Sequence, residues 1–213
     1  MILNNYLHII WDWNGTILND RWLCLEIINS LLSKRNLKQL STDDYKKIFD
    51  FPVIEYYKKA GFNFNNEPFE KVAIEFIDNY DSRRLECQLQ PGVISCLEHV
   101  KHMGICQSVL SASHQEVLEE MIDYFDLRKY FYHINGLKNH YAGGKIETAQ
   151  ELIKKIDIPP ERILLIGDTT HDYEVSNILN CDCLLVSNGH HPFEKLTNCS
   201  VQVISTLIEL NNH

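Results

Sequence analysis

The 213-residue sequence predicts an α/β protein, a Rossmann-like parallel-sheet core with an inserted all-helical segment. Three observations carry this expectation. Apolar runs at residues 7–11 (LHIIW), 105–112 (ICQSVLSA) and 163–166 (ILLI) alternate with helical stretches, a pattern that implies right-handed crossovers and parallel strands. Between the first and second runs the texture changes, and no convincing strand is found from Ser41 to about Leu89. Finally, Asp12 and Asp168 each follow the end of a run by one or two residues, inside WDWNGT and GDTTHD. In open α/β sheets ligands gather outside the carboxyl ends of strands, at a topological switch point.

Residues 7–11 form a first core strand, apolar except for His8, and residues 20–35, dense in Leu and Ile, form a helix apolar on most faces. A cap at Ser41 or Thr42 opens DDYKKIF, Gly61 stops VIEYYKKA, and EPFEKVAIEFIDNY makes a longer helix. Aromatic residues are dense here, among them Phe49, Phe51, Tyr56, Tyr57, Phe69, Phe76 and Tyr80. They pack a small helical bundle, with a few left to face a substrate. After Pro91-Gly92 a helix (VISCLEHVKHM) leads through Gly104 to the second strand, and a helix starts near Ser113. Then come a short strand near residues 132–134, the pair Gly143-Gly144, a helix from Lys145, the strand ending at Gly167-Asp168, a helix (HDYEVSNILN) and the strand CLLVSN. The expected division is a core of residues 1–18 and 90–213 with a helical cap of residues 19–89.

Twenty basic against 29 acidic residues give a net charge of −9, without a basic run longer than a pair. A duplex-binding surface needs a clustered positive footprint, so nucleic acid is not the expected partner. No apolar stretch approaches a membrane span, and the N-terminus lacks a charged n-region and a small-residue cleavage site. Seven cysteines without framework spacing fit reduced thiols in a cytoplasmic protein. Cys181 and Cys183 would point to opposite faces of a strand, which argues against a shared metal. A monomer or homodimer is expected.

WDWNGT, LSAS at the end of the second strand, Lys145 and GDTTHD resemble, in order, the four motifs of the haloacid dehalogenase superfamily. The helical insertion resembles that superfamily's small cap, and within it the chain is most similar to phosphoglycolate-phosphatase-like hydrolases. The resemblance implies a Mg²⁺-dependent phosphatase that hydrolyses a small phosphorylated metabolite, a phosphoglycolate-like phosphomonoester, through an aspartyl-phosphate. Asp12 is then the nucleophile. Asp12, the carbonyl of Asn14, Asp168 and Asp172 are the metal candidates, with Asp172 binding through water or orienting Lys145. Gly15, Thr16, Ser111, Ala112 and Lys145 are the phosphate-binding candidates, the backbone N–H groups of residues 13–16 cradling phosphoryl oxygens. An ammonium at Lys145, close to a helix N-terminus, is explained by a site that collects phosphate and carboxylates.

Asn14 departs from the family pattern, which has a second aspartate there as general acid and base. An amide cannot transfer that proton, a role worth ~10²–10⁴-fold. Three readings follow: a substrate with a good leaving group, such as an acyl phosphate or phosphoanhydride; a histidine that shuttles the proton; or a weak or lapsed catalyst that binds phosphate. Of His114, His140, His171, His190 and His191, all expected near strand ends, His171 and His190 are the better placed.

Overall fold

The computed structural model describes residues 2–137 and 144–211. After a 3-10 turn at Ile2–Asn5 comes β1 (His8–Trp11), buried along its whole length, and the chain then turns into the two-residue β2 (Leu18–Asn19). Helices α1 (Arg21–Lys34), α2 (Thr42–Ile48), α3 (Val53–Ala60) and α4 (Phe69–Arg83) follow, and β3 (Gln88–Leu89) returns the chain to the core. From there α5 (Val93–His102), β4 (Cys106–His114), α6 (Gln115–Tyr124), β5 (His133–Leu137) and α7 (Gly144–Ile153) alternate. The chain continues through β6 (Ile163–Gly167), α8 (Thr170–Leu179), β7 (Asp182–Val186), α9 (Phe193–Thr197) and β8 (Gln202–Ile204).

Six strands make one parallel sheet in the order β5-β4-β1-β6-β7-β8. β1 is central, with His8 in register with Cys106 on one side and Ile163 on the other. The chain runs outward from β1 through β4 to β5, then outward on the other flank from β6, so the order reverses between β1 and β6. Asp12 and Asp168 leave the sheet on the two sides of that switch point, where ligands gather in such folds. The α/β, Rossmann-like architecture is therefore as expected.

Polar exceptions in the buried strands are paired. His8 Nε2 lies 2.8 Å from Ser108 Oγ, and Trp11 Nε1 donates to Gln107 Oε1, whose amide in turn donates to Leu97 O. Around them Ile9, Ile10, Leu165 and Ile166 are shut off from solvent, each stabilising the fold by roughly 1.5–3 kcal/mol.

In the inserted helices, α1 buries Leu23, Cys24, Ile27, Ile28, Leu31 and Leu32, a spacing of three and four that makes one broad apolar face. Ser41 caps α2 by accepting from Asp44 N, and Gly61 ends α3 in the left-handed region at φ +109°. The aromatic residues form a chain of ring contacts, Tyr45–Tyr56–Tyr57–Phe69–Phe64, that is the bundle's core.

Several expectations need correction. Residues 18–19 and 88–89 pair antiparallel as a ribbon at the entry and exit of the insertion; two-residue strands have no period to detect. Ser113 belongs to β4 rather than to a helix start, because the strand runs on to His114. The strand near residues 132–134 reaches Leu137, while Tyr132 itself is exposed. α9 and β8 were not anticipated. Gly143 lies outside the described residues. The seven thiols are free, and Cys181 and Cys183 pack into different apolar clusters.

Candidate functional site

The turn after β1 brings the first group of residues together. Asp12 N donates to Ile166 O at 2.8 Å, which extends the β1–β6 pairing by one residue and fixes the carboxylate at the strand end. Asn14 and Leu18 form an isolated bridge across the turn, Leu18 N donating to Trp13 O and Gly15 N to Leu18 O. Gly15 has φ +79°, and a Cβ there would lie 2.3 Å from Asp168 Oδ2. Only glycine satisfies both demands. A Cβ at Gly189 would meet the same oxygen at 2.1 Å. Two glycines thus wall in Asp168.

Three carboxylates, Asp12, Asp168 and Asp172, are buried with oxygens within 4.8 Å of one another. Lys145, itself buried in the first turn of α7, donates to Asp12 Oδ1 at 2.6 Å and to Asp172 Oδ1 at 2.7 Å. Asp172 Oδ2 accepts from the N–H and hydroxyl of Thr169, a capping box that starts α8. Thr16 Oγ1 lies 3.1 Å from both Asp12 Oδ2 and Asp168 Oδ1, and His190 N donates to Asp168 Oδ2 at 2.6 Å.

The electrostatics follow from these partners. Burial lifts the Asp12 carboxyl well above its usual range and outweighs the nearby ammonium, while the neighbouring aspartates add to the lift. Burial likewise carries Asp168 up to about 6. Asp172 goes the other way: burial is overcome by Lys145 and by the two donors of Thr169. Lys145 keeps its charge against burial, because Asp12 and Asp172 raise its pKa. One ammonium serves three carboxylates, so ionising all three leaves the cluster with uncompensated negative charge.

Asn14 is fully engaged. Its Nδ2 donates to Asp20 Oδ2 (2.8 Å) and to Tyr80 Oη (2.9 Å), and its Oδ1 accepts from Ser113 Oγ (2.7 Å) and Ser111 Oγ (3.3 Å). Asp20 is the hub of a second buried network. It accepts from Gly15 N, Asn14, the Tyr80 hydroxyl and His190 Nε2. Burial opposes its charge, but His190, Asn14 and Tyr80 hold the carboxyl below its usual range. His190 Nδ1 meets the Tyr45 hydroxyl at 2.8 Å, and its ring stacks on Phe49 at 4.8 Å. The helices 21–83 therefore touch the carboxyl ends of β1 and β7 through Tyr80, Tyr45 and Phe49.

The structure brings together Asp12, Asn14, Gly15, Thr16, Ser111, Lys145, Asp168 and Asp172. Ala112 stands between Ser111 and Ser113 in β4, where the pairing with β5 loses its register from Leu110 to His114; it adds no polar side chain. Gly15 N is committed to Leu18 O and Asp20, which removes it from the expected amide cradle. Of the histidines, His190 joins the site. His191 accepts from Thr170 N and donates to Phe49 O, while His171 sits against Phe51 and Glu174. His114 ends β4, and His140 lies outside the described residues. Sequence reasoning missed Asp20, Tyr45, Tyr80 and Ser113. Ser113 had a signal, since residues two apart on a strand share a face with Ser111.

Comparison with known proteins agrees with this fold. The chain is 21% identical over 195 residues to "Putative pyrophosphatase PpaX" of Caldanaerobacter subterraneus subsp. tengcongensis, covering 88% of this chain and 84% of that protein. Among solved structures it resembles the haloacid dehalogenase-like family protein SP0104 from Streptococcus pneumoniae, with a TM-score of 0.83, 14% identity and 97% of each chain covered. It also resembles a predicted phosphoglycolate phosphatase from Haemophilus somnus, with a TM-score of 0.78, 18% identity and 98% and 97% covered. At these identities the likeness establishes the fold. The family model described as haloacid dehalogenase-like hydrolase matches residues 9–186, and the chain belongs to that family.

Proposed function

We propose that the protein is a Mg²⁺-dependent phosphatase of small phosphorylated metabolites that works through an aspartyl-phosphate on Asp12. The observation that carries this reading is the position of Asp12. It stands one residue past the end of the central strand, 2.6 Å from the Lys145 ammonium and beside two further buried carboxylates. The Asp12 carboxylate attacks phosphorus and the leaving-group oxygen departs; water then hydrolyses the acyl phosphate and regenerates Asp12. Lys145 and the Ser111 hydroxyl orient phosphoryl oxygens, and the remaining amides of the 13–16 turn complete the cradle. Asp172 holds Lys145 in place.

A divalent cation fits the donor set. The candidate ligands are all oxygens, and the buried carboxylates exceed the one ammonium that balances them. Asp12, Asp168 and the carbonyl of Asn14 would hold Mg²⁺, which supplies charge neutralisation between the nucleophile and the phosphate. Residues 19–89 act as the cap, with Phe49, Phe51 and Tyr80 toward the substrate.

Asn14 favours one class of substrate. With its amide held by four partners and the Asp20 carboxyl kept ionised, neither side chain offers a proton to the leaving group. Phosphoanhydrides, acyl phosphates and aryl phosphates, whose leaving groups need none, are the better substrates. The test is Mg²⁺-dependent phosphate release from 4-nitrophenyl phosphate. Asp12→Asn should abolish it with the circular dichroism spectrum unchanged; a variant that keeps most of its activity would eliminate the covalent route.

A further inference from the structure

Asp20 and Cys24 stand one turn apart at the start of α1, where a spacing of four puts both side chains on one face. The backbone bond from Cys24 N to Asp20 O, 3.0 Å long, fixes that turn. His190, from the segment after β7, meets them from the core. Cys24 Sγ lies 3.7 Å from Asp20 Oδ2, and His190 Nε2 lies 3.2 Å from Asp20 Oδ1. One ligand atom from each residue falls within 4.8 Å of the other two, and all three residues are buried. The phosphatase chemistry above makes no use of the Cys24 thiol.

Around a tetrahedral zinc ion, bonds of about 2.0–2.3 Å place neighbouring ligand atoms roughly 3.3–3.7 Å apart. The two contacts of Asp20 are close to that spacing, and a small closure of the sulfur toward the imidazole completes the triangle. The donor types suit the ion as well. A thiolate, a carboxylate and a neutral imidazole bring two negative charges, which a divalent cation cancels inside a buried site. Thiolate and imidazole select zinc over magnesium, whereas the cluster of Asp12, Asp168 and Asp172 offers oxygen alone. Asp20 keeps its other bonds, from Gly15 N to Oδ1 and from Asn14 and Tyr80 to Oδ2, when an ion replaces the protons of Cys24 and His190. The imidazole is already oriented. With Nε2 on an ion, Nδ1 carries the proton and donates to the Tyr45 hydroxyl at 2.8 Å, the outer bond that fixes a ligating histidine.

We propose that Asp20, Cys24 and His190 bind one Zn²⁺ ion, with water as the fourth ligand, at a site separate from the catalytic carboxylates. Two ligands belong to the insertion and the third to the core, so the ion is a clip between them. Binding releases the thiol proton of Cys24, and the imidazole keeps its single proton on Nδ1. The clip requires no turnover, and it stands or falls apart from the phosphatase reading.

The experiment titrates Co²⁺ and Zn²⁺ into chelator-treated protein held in excess Mg²⁺. Co²⁺ should give a near-ultraviolet thiolate-to-metal charge-transfer band and the intense visible bands of a four-coordinate ion, at one equivalent per chain, and Zn²⁺ should displace it. The charge-transfer band should vanish in Cys24→Ser and persist in Cys181→Ser. Tyr45→Phe, which keeps all three ligands, should weaken Zn²⁺ binding by roughly tenfold to a hundredfold in calorimetry. Zn²⁺ should raise the melting temperature of the wild type and leave that of Cys24→Ser nearly unchanged. Cys24→Ala serves instead if a buried serine hydroxyl unfolds the helix. A wild-type titration without the charge-transfer band overturns the site with no variant needed. So does a band that survives both Cys24 substitutions, or Zn²⁺ binding that is kept in them and lost in Asp168→Asn, which puts the ion among the catalytic carboxylates. Absent Zn²⁺ binding beside normal release of phosphate from 4-nitrophenyl phosphate removes the clip and leaves the phosphatase; the Cys24-dependent band in a protein that hydrolyses nothing does the reverse.

Discussion

Asn14→Asp puts a carboxylate oxygen where the amide nitrogen now donates, 2.8 Å from Asp20 Oδ2. Two unit charges at that distance repel by about 6 kcal/mol at an effective dielectric of about 20. That equals roughly 4 pKa units, so the new carboxyl titrates near pH 8 rather than 4. At neutral pH it is protonated and donates to Asp20. The substitution therefore creates an acid beside the expected leaving-group position. Its effect is read in kcat/KM, which reports departure of the leaving group. For glycerol phosphate, whose alkoxide needs a proton, the value should rise ~10²-fold, at the low end of general acid catalysis. For 4-nitrophenyl phosphate it should change little. The gain should fade as the pH climbs through about 8 and the pair ionises, titrating as a unit. An alkyl-to-aryl ratio that stays at the wild-type value from pH 5 to 9, in a folded variant, would refute the reasoning.

Further outcomes follow from the site and the core. Gly189→Ala places a methyl 2.1 Å from Asp168 Oδ2, and the displaced carboxylate should cost roughly 10²-fold in Mg²⁺-dependent turnover, while melting temperature changes modestly; unaltered kinetics would show that Asp168 moves freely. Asp168, lifted by burial to about 6, binds a proton in the folded state that the unfolded chain has already released above its ordinary pKa of 3.8. The metal-free protein should therefore lose stability as pH rises from about 4 to 6, and Mg²⁺ affinity should climb with pH as Asp168 gives up its proton. Equal Mg²⁺ shifts in melting temperature at pH 5 and 7.5 would contradict this. His8 is pushed down to about 4 by burial and by His133. The unfolded chain takes up a proton below 6.5 that the folded protein refuses until 4, so up to about 3 kcal/mol of stability should be lost across that window. Urea unfolding of His8→Gln should show a smaller loss between pH 7 and 4.5.

The parallel core was legible because its strands are buried on both faces, and such strands appear as unbroken apolar runs. Ile163–Gly167 is such a run, and Asp168 stands just beyond it. Glycines at positive φ and helix stops such as Gly61 also have local causes and were readable. The β2–β3 ribbon was not, since its two-residue strands are specified by the register of distant partners, Leu18 with Leu89 and Asn19 with Gln88. Asp20 was hidden for a related reason. Before a leucine-rich helix an aspartate reads as an N-cap, and its true partners Tyr80 and His190 come from distant segments. Asn14 was singled out by its type, but the four bonds that hold it required the insertion to be folded in place.

The contacts that hold the insertion against the core have a bearing on how it would part from it. Asn14 to Tyr80, Tyr45 to His190 and Phe49 on His190 join neutral phenols and rings to the core, and Lys46 and Lys195 donate to carbonyl oxygens. Among the described residues, Lys195–Asp50, Arg84–Glu120 and the buried His190–Asp20 pair are the charged contacts that cross from residues 19–89 to the core. Debye screening weakens exposed charge pairs, yet it leaves phenol hydrogen bonds and stacked rings nearly untouched. An insertion fastened mainly in this way responds more to the loss of a single hydroxyl than to ionic strength. Tyr45 and Tyr80, which bond to His190 and Asn14, are then the hydroxyls whose loss loosens the insertion from the core.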